Sequence, residues 1–353
     1  MGEISTHKGI SVDYLSPALA HISGTSNLRI ESITAIGTGQ MAESYRVKFT
    51  RDSGTKIQSV VVKVPSQNEN SRGASRATRC YELETNFYAK LREQVDVDTP
   101  QCFHVWYYAP TDDFVLVLED IAGSTQGDQI SGATIEQAEA SIAQLVKLHS
   151  PLWGSPKINE LHWLPKHSVN TAAGTSQLLQ AMFPGFAERF TNSVAPEIIS
   201  LGERLVSNIE RYNAAFPSVL TIAHRDFRLD NLLFTHRVND ILVKVVDWQT
   251  VGAMPGASDL GYFIGASFKV EDRRNYEQNL VKSYCRGLNA RQIGVSFNDI
   301  WAQYRLLGTS GYIMAIVASV LVKQTDRGDA MFAAMANRHG QQMIDLETER
   351  LFV

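Results

Sequence analysis

The chain carries the string H-R-D-F-R-L-D-N-L-L-F at residues 224–234 and, after a mostly apolar run, V-V-D-W at residues 245–248. Phosphoryl transfer needs an acid group near the attacking hydroxyl and oxygen ligands for Mg²⁺, and the spacing H-x-D-x-x-x-x-N supplies a base and a first ligand. The apolar run before Asp247 indicates a buried strand, whose end would hold that carboxylate rigidly, as a metal ligand requires. The pattern predicts Asp226 as a catalytic base and Asn231 and Asp247 as metal ligands.

This string resembles the catalytic loop of the aminoglycoside phosphotransferase and choline kinase-like superfamily. There, H-G-D-x-x-x-x-N precedes an apolar strand that ends in D-W, D-F or D-D. The fuller string is similar to bacterial phosphotransferases near the ecdysteroid kinase-like branch. The chain departs from the pattern at Arg225, which stands where the superfamily usually has Gly and gives the His-Arg-Asp spelling of eukaryotic protein kinases.

The resemblance implies an α+β, protein kinase-like fold with two lobes. The first lobe, residues 1–121, would bind the nucleotide with an antiparallel sheet plus a helix. The second lobe, residues 122–353, would be mainly helical and carry the catalytic loop and the acceptor-binding helices. A length of 353 residues with 44% hydrophobic and 20% charged residues suits two globular lobes with a sizeable core.

Charge and cysteine content narrow the class of protein further. A net charge of -4 gives no indication of nucleic acid or of an anionic membrane as a partner. Three widely spaced cysteines without a C-x-x-C pair argue against a zinc site or a disulfide framework, and they favour a reducing compartment. The N-terminus lacks the apolar core of a signal peptide, and the longest apolar stretch, residues 312–322, is shorter than the ~20 residues of a membrane span. We therefore expect a cytoplasmic protein.

The first lobe contains a candidate phosphate-binding hairpin. A short helix is predicted at residues 12–22, and the apolar-polar alternation of residues 28–33 predicts a half-buried strand. Gly37 and Gly39 then suggest a hairpin whose backbone can approach a phosphate. Ala42 replaces the third glycine of a protein-kinase G-x-G-x-x-G loop, so the hairpin alone is also consistent with an ordinary turn.

A lysine lies inside the apolar strand S-V-V-V-K-V-P at residues 59–65. A buried ammonium requires a partner, and in kinases Lys63 would contact the α/β-phosphates and a helix carboxylate. The alternative is a solvated lysine on an edge strand. Glu82 and Glu84 both lie on the helix predicted over residues 77–92, and the resemblance favours Glu84 because matching helices carry E-x-x-F-Y.

The string F-V-L-V-L-E-D-I at residues 114–121 predicts a buried strand that runs into a polar turn. The resemblance implies that this segment crosses between lobes and offers backbone groups at Glu119 and Ile121 to adenine. A core strand with a capping acid is the alternative, and it needs no nucleotide.

The second lobe shows helical signals. Thr134 and Gln137 form a predicted capping box, and His149 lies on the apolar face of the helix behind it, where a structural role is expected. Helices are also predicted over residues 196–212, and as a packed pair over residues 301–343. The resemblance implies that Asp259 braces the catalytic loop.

Together these features predict an enzyme that uses ATP and Mg²⁺ to phosphorylate a hydroxyl group of a small molecule. One alternative is a nucleotide-binding pseudokinase or scaffold, a class that typically loses the lysine, the base or a metal ligand, all of which are present here. A second alternative is a protein kinase, but no A-P-E segment or extended activation loop lies between Asp247 and Asp259. The acceptor, the oligomeric state and the use of GTP are left open.

Overall fold

The computed structural model describes residues 10–11, 15, 28–37, 41–51, 58–322 and 324–353. The helix predicted over residues 12–22 and the predicted site residue Gly39 lie outside the described residues, apart from residue 15. The chain divides into two compact units. Unit 1 comprises residues 1–93, 99–123 and 247–250, and unit 2 comprises residues 94–98, 124–246 and 251–353. The assignment of residues 1–121 and 122–353 to nucleotide-binding and acceptor-binding lobes stays a prediction.

Unit 1 is built on a five-stranded antiparallel sheet with the order β1-β2-β3-β5-β4. Side chains alternate across β3, so that Val62 and Val64 enter the apolar core of the unit while Lys63 points to the opposite face. The register places Lys63 opposite Ser44 on β2 and Leu116 on β5. The strands are β1 Leu28–Ile36, β2 Ala42–Arg51, β3 Gln58–Pro65, β4 Cys102–Tyr108 and β5 Asp113–Glu119.

The helical segment of unit 1 is broken where the sequence predicted one helix. Helix α1 (Glu69–Thr78) and helix α2 (Cys80–Asn86) meet at Arg79, whose backbone is left-handed with φ 60. The Arg79 N–H closes α1 by donating to the carbonyls of Arg76 and Ser75, and the chain then restarts in a new direction. A π-helical turn, Phe87–Leu91, and a 3₁₀ turn, Arg92–Gln94, follow α2. The helix predicted over residues 77–92 therefore begins at Cys80, after the break at Arg79, and its last turns are π-helical and 3₁₀.

Unit 2 contains two small sheets that flank the loop of residues 224–231. Strand β7 precedes the loop and pairs with β10, while β8 follows the loop and pairs with β6 and β9. Because Leu232 pairs with Val245 in the β8–β9 hairpin, the Val246 N–H donates to the Asn231 carbonyl at 3.0 Å. The strands are β6 Thr125–Gln126, β7 Thr221–Ala223, β8 Leu232–His236, β9 Ile241–Val245 and β10 Gly252–Met254.

The rest of unit 2 is helical, around an apolar core shared by most of the helices. The predicted capping box at Thr134 and Gln137 is confirmed. The helices are α3 Ile135–His149, α4 Val169–Arg189, α5 Pro196–Ser207, α6 Ile209–Ala214, α7 Ala257–Ser267, α8 Val270–Ala290, α9 Phe297–Leu307, α10 Thr309–Leu321 and α11 Asp326–Asp345, with 3₁₀ turns at Ser150–Leu152, Pro156–Glu160, Leu229–Asn231 and Thr348–Leu351.

Two predicted helical segments are divided more finely in the structure. The helix expected over residues 196–212 breaks at Asn208, and the pair expected over residues 301–343 is three helices, α9 to α11. The α9–α10 junction at Gly308 packs so closely on α7 that a Cβ at Gly261 would lie 2.8 Å from the Gly308 nitrogen. In the described part of the chain, one helical run, Phe297–Leu321, has the length and composition of a membrane span, and 61% of its most apolar window is buried inside the protein.

The predicted α+β class is confirmed, with an antiparallel N-terminal sheet and a mainly helical remainder.

Candidate active site

In unit 1, Lys63 forms a buried ion-pair centre with two carboxylates. Its Nζ lies 2.9 Å from Glu84 Oε1 and 2.8 Å from Asp247 Oδ1. Burial alone would lower the pKa of Lys63, but the charges of Asp247 and Glu84 outweigh it and raise that pKa well above its ordinary value. The ammonium is therefore charged at any physiological pH.

The structure distinguishes the two glutamates that the sequence offered to Lys63. Glu84 is 1% exposed and pairs with the lysine, whereas Glu82 pairs with Arg79 at 2.8 Å in a partly exposed position. The break at Arg79 orients α2 so that its buried face carries Glu84. Glu84 also accepts a hydrogen bond from the backbone N–H of Trp248.

Aromatic stacking holds the turn that follows Asp247. The indole of Trp248 is fully buried and stacks on Phe87, with ring centroids 3.7 Å apart and an interplanar angle of 3°. Asp247 itself has a left-handed backbone with φ 68, an uncommon conformation for a residue other than glycine. The Phe87–Trp248 stack and the Trp248 N–H bond to Glu84 thus hold the candidate metal ligand in a strained turn.

The β1–β2 hairpin is formed as predicted, and Gly37 has the left-handed φ of 73 that favours glycine. Helix α2 also supports this hairpin, because the Tyr81 hydroxyl donates to the Met41 carbonyl and accepts from the Ser66 N–H. Helix α2 thereby carries Glu84, the partner of Lys63, and also contacts the chain just before β2 and just after β3.

At the end of β5, acidic side chains turn back onto the sheet. Asp120 accepts from Arg46 at 2.8 and 3.0 Å and from Ser59 at 2.7 Å. Burial works against ionisation of Asp120, but the hydrogen bonds from Arg46 and Ser59 hold its pKa below the usual range. Glu119 bonds to the backbone of Gln101 through both its N–H and its carboxylate. The predicted nucleotide-binding positions Glu119 and Ile121 therefore flank a firmly anchored residue.

In unit 2, three donors converge on the carboxylate of Asp226. Tyr262 Oη donates to Oδ1 at 2.6 Å, Asn231 Nδ2 donates to Oδ2 at 3.0 Å, and Arg228 Nε lies 3.3 Å from Oδ2. Sequence reasoning missed Tyr262 and Arg228. Arg228 lies within residues 224–234, and Tyr262 lies three residues after Asp259. Their closeness in sequence to predicted site residues was the signal that could have identified them.

The orientation of the Asn231 amide fits a magnesium ligand. Its nitrogen donates to both the backbone carbonyl of Asp226, at 2.9 Å, and the Asp226 carboxylate. The amide oxygen is therefore the atom left for a hard cation, which selects oxygen ligands. No group of three or more His, Cys, Asp or Glu side chains within the described residues is arranged to hold a metal. Mg²⁺ needs no such cluster, because it usually binds one or two carboxylates plus waters and phosphate oxygens.

Asp259 on α7 holds the backbone of the loop that carries Asp226. It is 1% exposed and accepts from the N–H groups of His224 at 2.7 Å and Arg225 at 2.8 Å, with His149 Nε2 at 3.3 Å. Burial would raise the pKa of Asp259, but the hydrogen bond and charge of His149 and the loop N–H bonds lower it. Arg225 is left-handed with φ 67, the conformation that a glycine adopts without strain. His149 is fully buried and bonds to Tyr284 at 2.6 Å, in keeping with a structural role.

A chain of alternating charges extends from Asp226. Arg228 pairs with Asp226 and Asp230, and Arg327 of α11 lies 3.4 Å from Asp230 and 3.5 Å from Asp128. Burial would lower the pKa of Arg228, but the charge of Asp226 chiefly outweighs it and raises that pKa. Each of the three carboxylates, those of Asp226, Asp230 and Asp128, therefore has a guanidinium partner.

Comparison with known proteins identifies the family and the fold of the chain. The model of the ecdysteroid kinase-like family matches residues 37–294. No significant match was found among curated proteins. A choline kinase from Cryptosporidium parvum Iowa II is 12% identical, with 92% of this chain and 90% of that chain covered and a TM-score of 0.60. An ethanolamine kinase from Plasmodium vivax is 12% identical, with 94% and 87% covered and a TM-score of 0.56.

A third solved structure, the GDP complex of wild-type aminoglycoside 2'-phosphotransferase-IIIa, is 11% identical, with 94% of this chain and 99% of that chain covered and a TM-score of 0.54. At such identities the similarity shows the fold alone. The predicted protein kinase-like fold and the predicted superfamily are confirmed.

Proposed function

This chain belongs to the ecdysteroid kinase-like family, and from that membership we propose that it transfers the γ-phosphoryl group of ATP, with Mg²⁺, to a hydroxyl of a small molecule. The observation that carries the proposal is the buried pairing of Lys63 with both Glu84 and Asp247. A buried lysine with two carboxylates is costly to maintain for stability alone, because desolvation of the three charges offsets much of their attraction. A phosphate-binding role accounts for its presence.

In the proposed mechanism, each unit contributes its own residues. In unit 1, Lys63 holds the ATP phosphates, and Glu84 orients the ammonium, which has three N–H donors to share. The hairpin of Gly37 and Gly39 and the backbone at Glu119 and Ile121 bind the rest of the nucleotide. Asp247 of unit 1 and Asn231 of unit 2 are the proposed Mg²⁺ ligands, and the bound ion would neutralise the charge that develops on the phosphoryl oxygens.

In unit 2, Asp226 is the proposed base. The acceptor hydroxyl gives its proton to the Asp226 carboxylate as its oxygen bonds to the γ-phosphorus. The bond from that phosphorus to the β–γ bridging oxygen breaks, and ADP leaves with those electrons. Catalysis in this chemistry is mainly positioning and charge neutralisation, so the fixed carboxylate of Asp226 and the fixed amide of Asn231 both support the proposal.

The two alternatives are less well supported. A pseudokinase would lack the lysine, the base or a metal ligand, whereas Lys63, Asp226, Asn231 and Asp247 are all present. A regulated protein kinase needs a long activation loop that phosphorylation orders. Here β10 pairs with β7 only five residues after Asp247, and α7 begins at Ala257. This short connection favours a small-molecule kinase.

The charges around Asp226 guide the choice of acceptors to test. Asp230 and Asp128 are paired with arginines, so they are not arranged as an acidic pocket for a polycation. A screen should therefore include uncharged and anionic alcohols beside choline and ethanolamine. ADP release with each compound would identify the acceptor.

The decisive test is Asp226→Asn, measured as ADP release with the acceptor found in the screen. Turnover should fall by ~10²–10⁴-fold, the usual contribution of a positioned acid–base group, while ATP affinity changes little. Asp240→Asn is a matched control, because it removes one carboxylate at an exposed hairpin position. Near-normal turnover by Asp226→Asn would exclude Asp226 as the base.

A further inference from the structure

Tyr262 places a single hydroxyl against the carboxylate that we assign as the base. Its side chain lies in the apolar core of unit 2, is 3% exposed and packs beside His339 with ring centroids 5.6 Å apart. Its Oη donates to Asp226 Oδ1 at 2.6 Å, the shortest of the three donor distances to this carboxylate. Burial, and then the charge of Asp226, raise the pKa of Tyr262 well above its ordinary value. The phenol is therefore a donor at every working pH.

The position of Tyr262 on α7 links it to the anchoring of the loop. Asp259 lies three residues earlier on the same helix face and holds the N–H groups of His224 and Arg225. Helix α7 thus contacts the catalytic loop twice: the Asp259 carboxylate accepts from the loop backbone, and the Tyr262 hydroxyl donates to the Asp226 side chain. A phenylalanine would fill the same space but would leave this second contact unmade.

The three donors leave the Asp226 carboxylate little freedom. A carboxylate has about four acceptor positions. Tyr262 occupies one on Oδ1, Asn231 donates to Oδ2, and Arg228 Nε lies between the two oxygens, 3.2 Å from Oδ1 and 3.3 Å from Oδ2. An approaching hydroxyl therefore meets a carboxylate that cannot rotate and that has about one position left.

We propose that Tyr262 is a positioning residue that holds the Asp226 carboxylate in the orientation in which it accepts the proton of the phosphoryl acceptor. The inference rests on the proposed function. Near-attack geometry requires alignment of the reacting groups, and a freely rotating carboxylate would lose part of that alignment. Tyr262 acts through Asp226 and touches no substrate.

The test is a double-mutant cycle on the full chain, with wild type, Tyr262→Phe, Asp226→Asn and the double variant. The readout is ADP release from Mg²⁺ and ATP, with water as the phosphoryl acceptor. Tyr262→Phe should lower kcat by about 10- to 100-fold, as expected for loss of a hydrogen bond to a charged group, and should change the KM for ATP by less than about threefold. In the Asp226→Asn background the same substitution should change kcat by less than about threefold.

Tyr212→Phe is the matched control. Tyr212 is also a fully buried tyrosine of unit 2, and its hydroxyl has no hydrogen-bond partner among the described residues. The kcat of Tyr212→Phe should stay within about twofold of wild type. Both tyrosine variants should unfold on heating as cooperatively as wild type.

Failure of the inference about Tyr262 and failure of the proposed function give different results in this experiment. Equal losses from Tyr262→Phe in both backgrounds, or no loss in the wild-type background, would overturn the positioning role and leave Asp226 as the base. A normal kcat for Asp226→Asn would overturn the proposed function and this inference with it.

Discussion

Replacing Glu84 by glutamine tests whether Glu84 is the functional partner of Lys63, because it exchanges one carboxylate oxygen for an amide nitrogen. The substitution keeps the shape of the side chain and one carbonyl oxygen near Lys63, but it removes the negative charge. Glu82→Gln makes the identical change two residues away, at the exposed pair with Arg79. The two variants therefore differ in the environment of the carboxylate and in nothing else.

The structure sets the expected magnitudes. The side chain of Glu84 is 2% exposed and that of Lys63 is 11% exposed. Leaving a buried charge without any partner costs ~3–5 kcal/mol, but Lys63 keeps Asp247 at 2.8 Å. The expected loss is then that of a hydrogen bond between charged groups, about 2 kcal/mol. Glu82→Gln should cost about 0.3–0.5 kcal/mol, as a surface pair one helical turn apart does.

Thermal melting measures the difference. At roughly 2–4 °C per kcal/mol, Glu84→Gln should lower the Tm by about 4–8 °C and Glu82→Gln by no more than about 2 °C. The gap should be the same at pH 7 and pH 9. The pKa of Lys63 is raised, so the contribution of its charge is fully present below the unfolded pKa and is lost only as pH rises through the folded value.

Catalytic activity should show the same difference between the two variants as their thermal stability. Loss of lysine orientation should lower kcat/KM for ATP by up to about 30-fold in Glu84→Gln, the kinetic equivalent of 2 kcal/mol, and should leave Glu82→Gln near wild type. If Glu82→Gln destabilises the protein as much as Glu84→Gln, or if Glu84→Gln binds and uses ATP normally, the assignment of Glu84 to Lys63 is wrong.

Three further predictions concern the metal and the catalytic loop. ATP should raise the Tm only when Mg²⁺ is present, and Asp247→Ala should lose this stabilisation; equal stabilisation in a chelator would point to metal-free binding. Asp259→Asn should lower the free energy of unfolding by about 2–4 kcal/mol at pH 7, because two buried N–H groups lose a charged acceptor. The pKa of Asp259 is lowered in the fold, so its contribution is present above the unfolded value and is lost as pH falls through the folded one. Urea midpoints of variant and wild type should therefore converge in acid, and a constant gap down to about pH 2 would contradict this. Arg225→Gly should be about 1 kcal/mol more stable than Arg225→Ala, since both lose the guanidinium but only glycine relieves a φ of 67; equal stabilities would show that the turn is unstrained.

Local sequence patterns predicted the parts of the candidate site that lie within one element. Asp226, Asn231 and Asp247 could be proposed as site residues because their spacing is that of one loop and one hairpin. Lys63 could be identified because a single charge interrupts an apolar strand. These features depend on contacts between near neighbours in the chain.

The remaining features depend on contacts that spacing does not encode. The choice of Glu84 over Glu82 follows from the left-handed break at Arg79, where no glycine or proline marks the end of a helix. The bond from Tyr262 to Asp226 joins residues 36 positions apart. Helix α10 separates from α9 at Gly308, where an added Cβ would lie 2.8 Å from the Gln342 side chain of α11, a contact between residues 34 positions apart.

The anchoring of the catalytic loop by Asp259 has a consequence for sequence variation. Asp259 contacts the amides of residues 224 and 225, a group that every amino acid except proline carries. The shape of the loop is thereby separated from the identity of the side chain at residue 225. Residue 225 can therefore change between glycine and arginine at a cost of about 1 kcal/mol in folding free energy while both bonds to Asp259 are kept. Proline at residue 224 or 225 would remove one of these bonds, because it has no N–H.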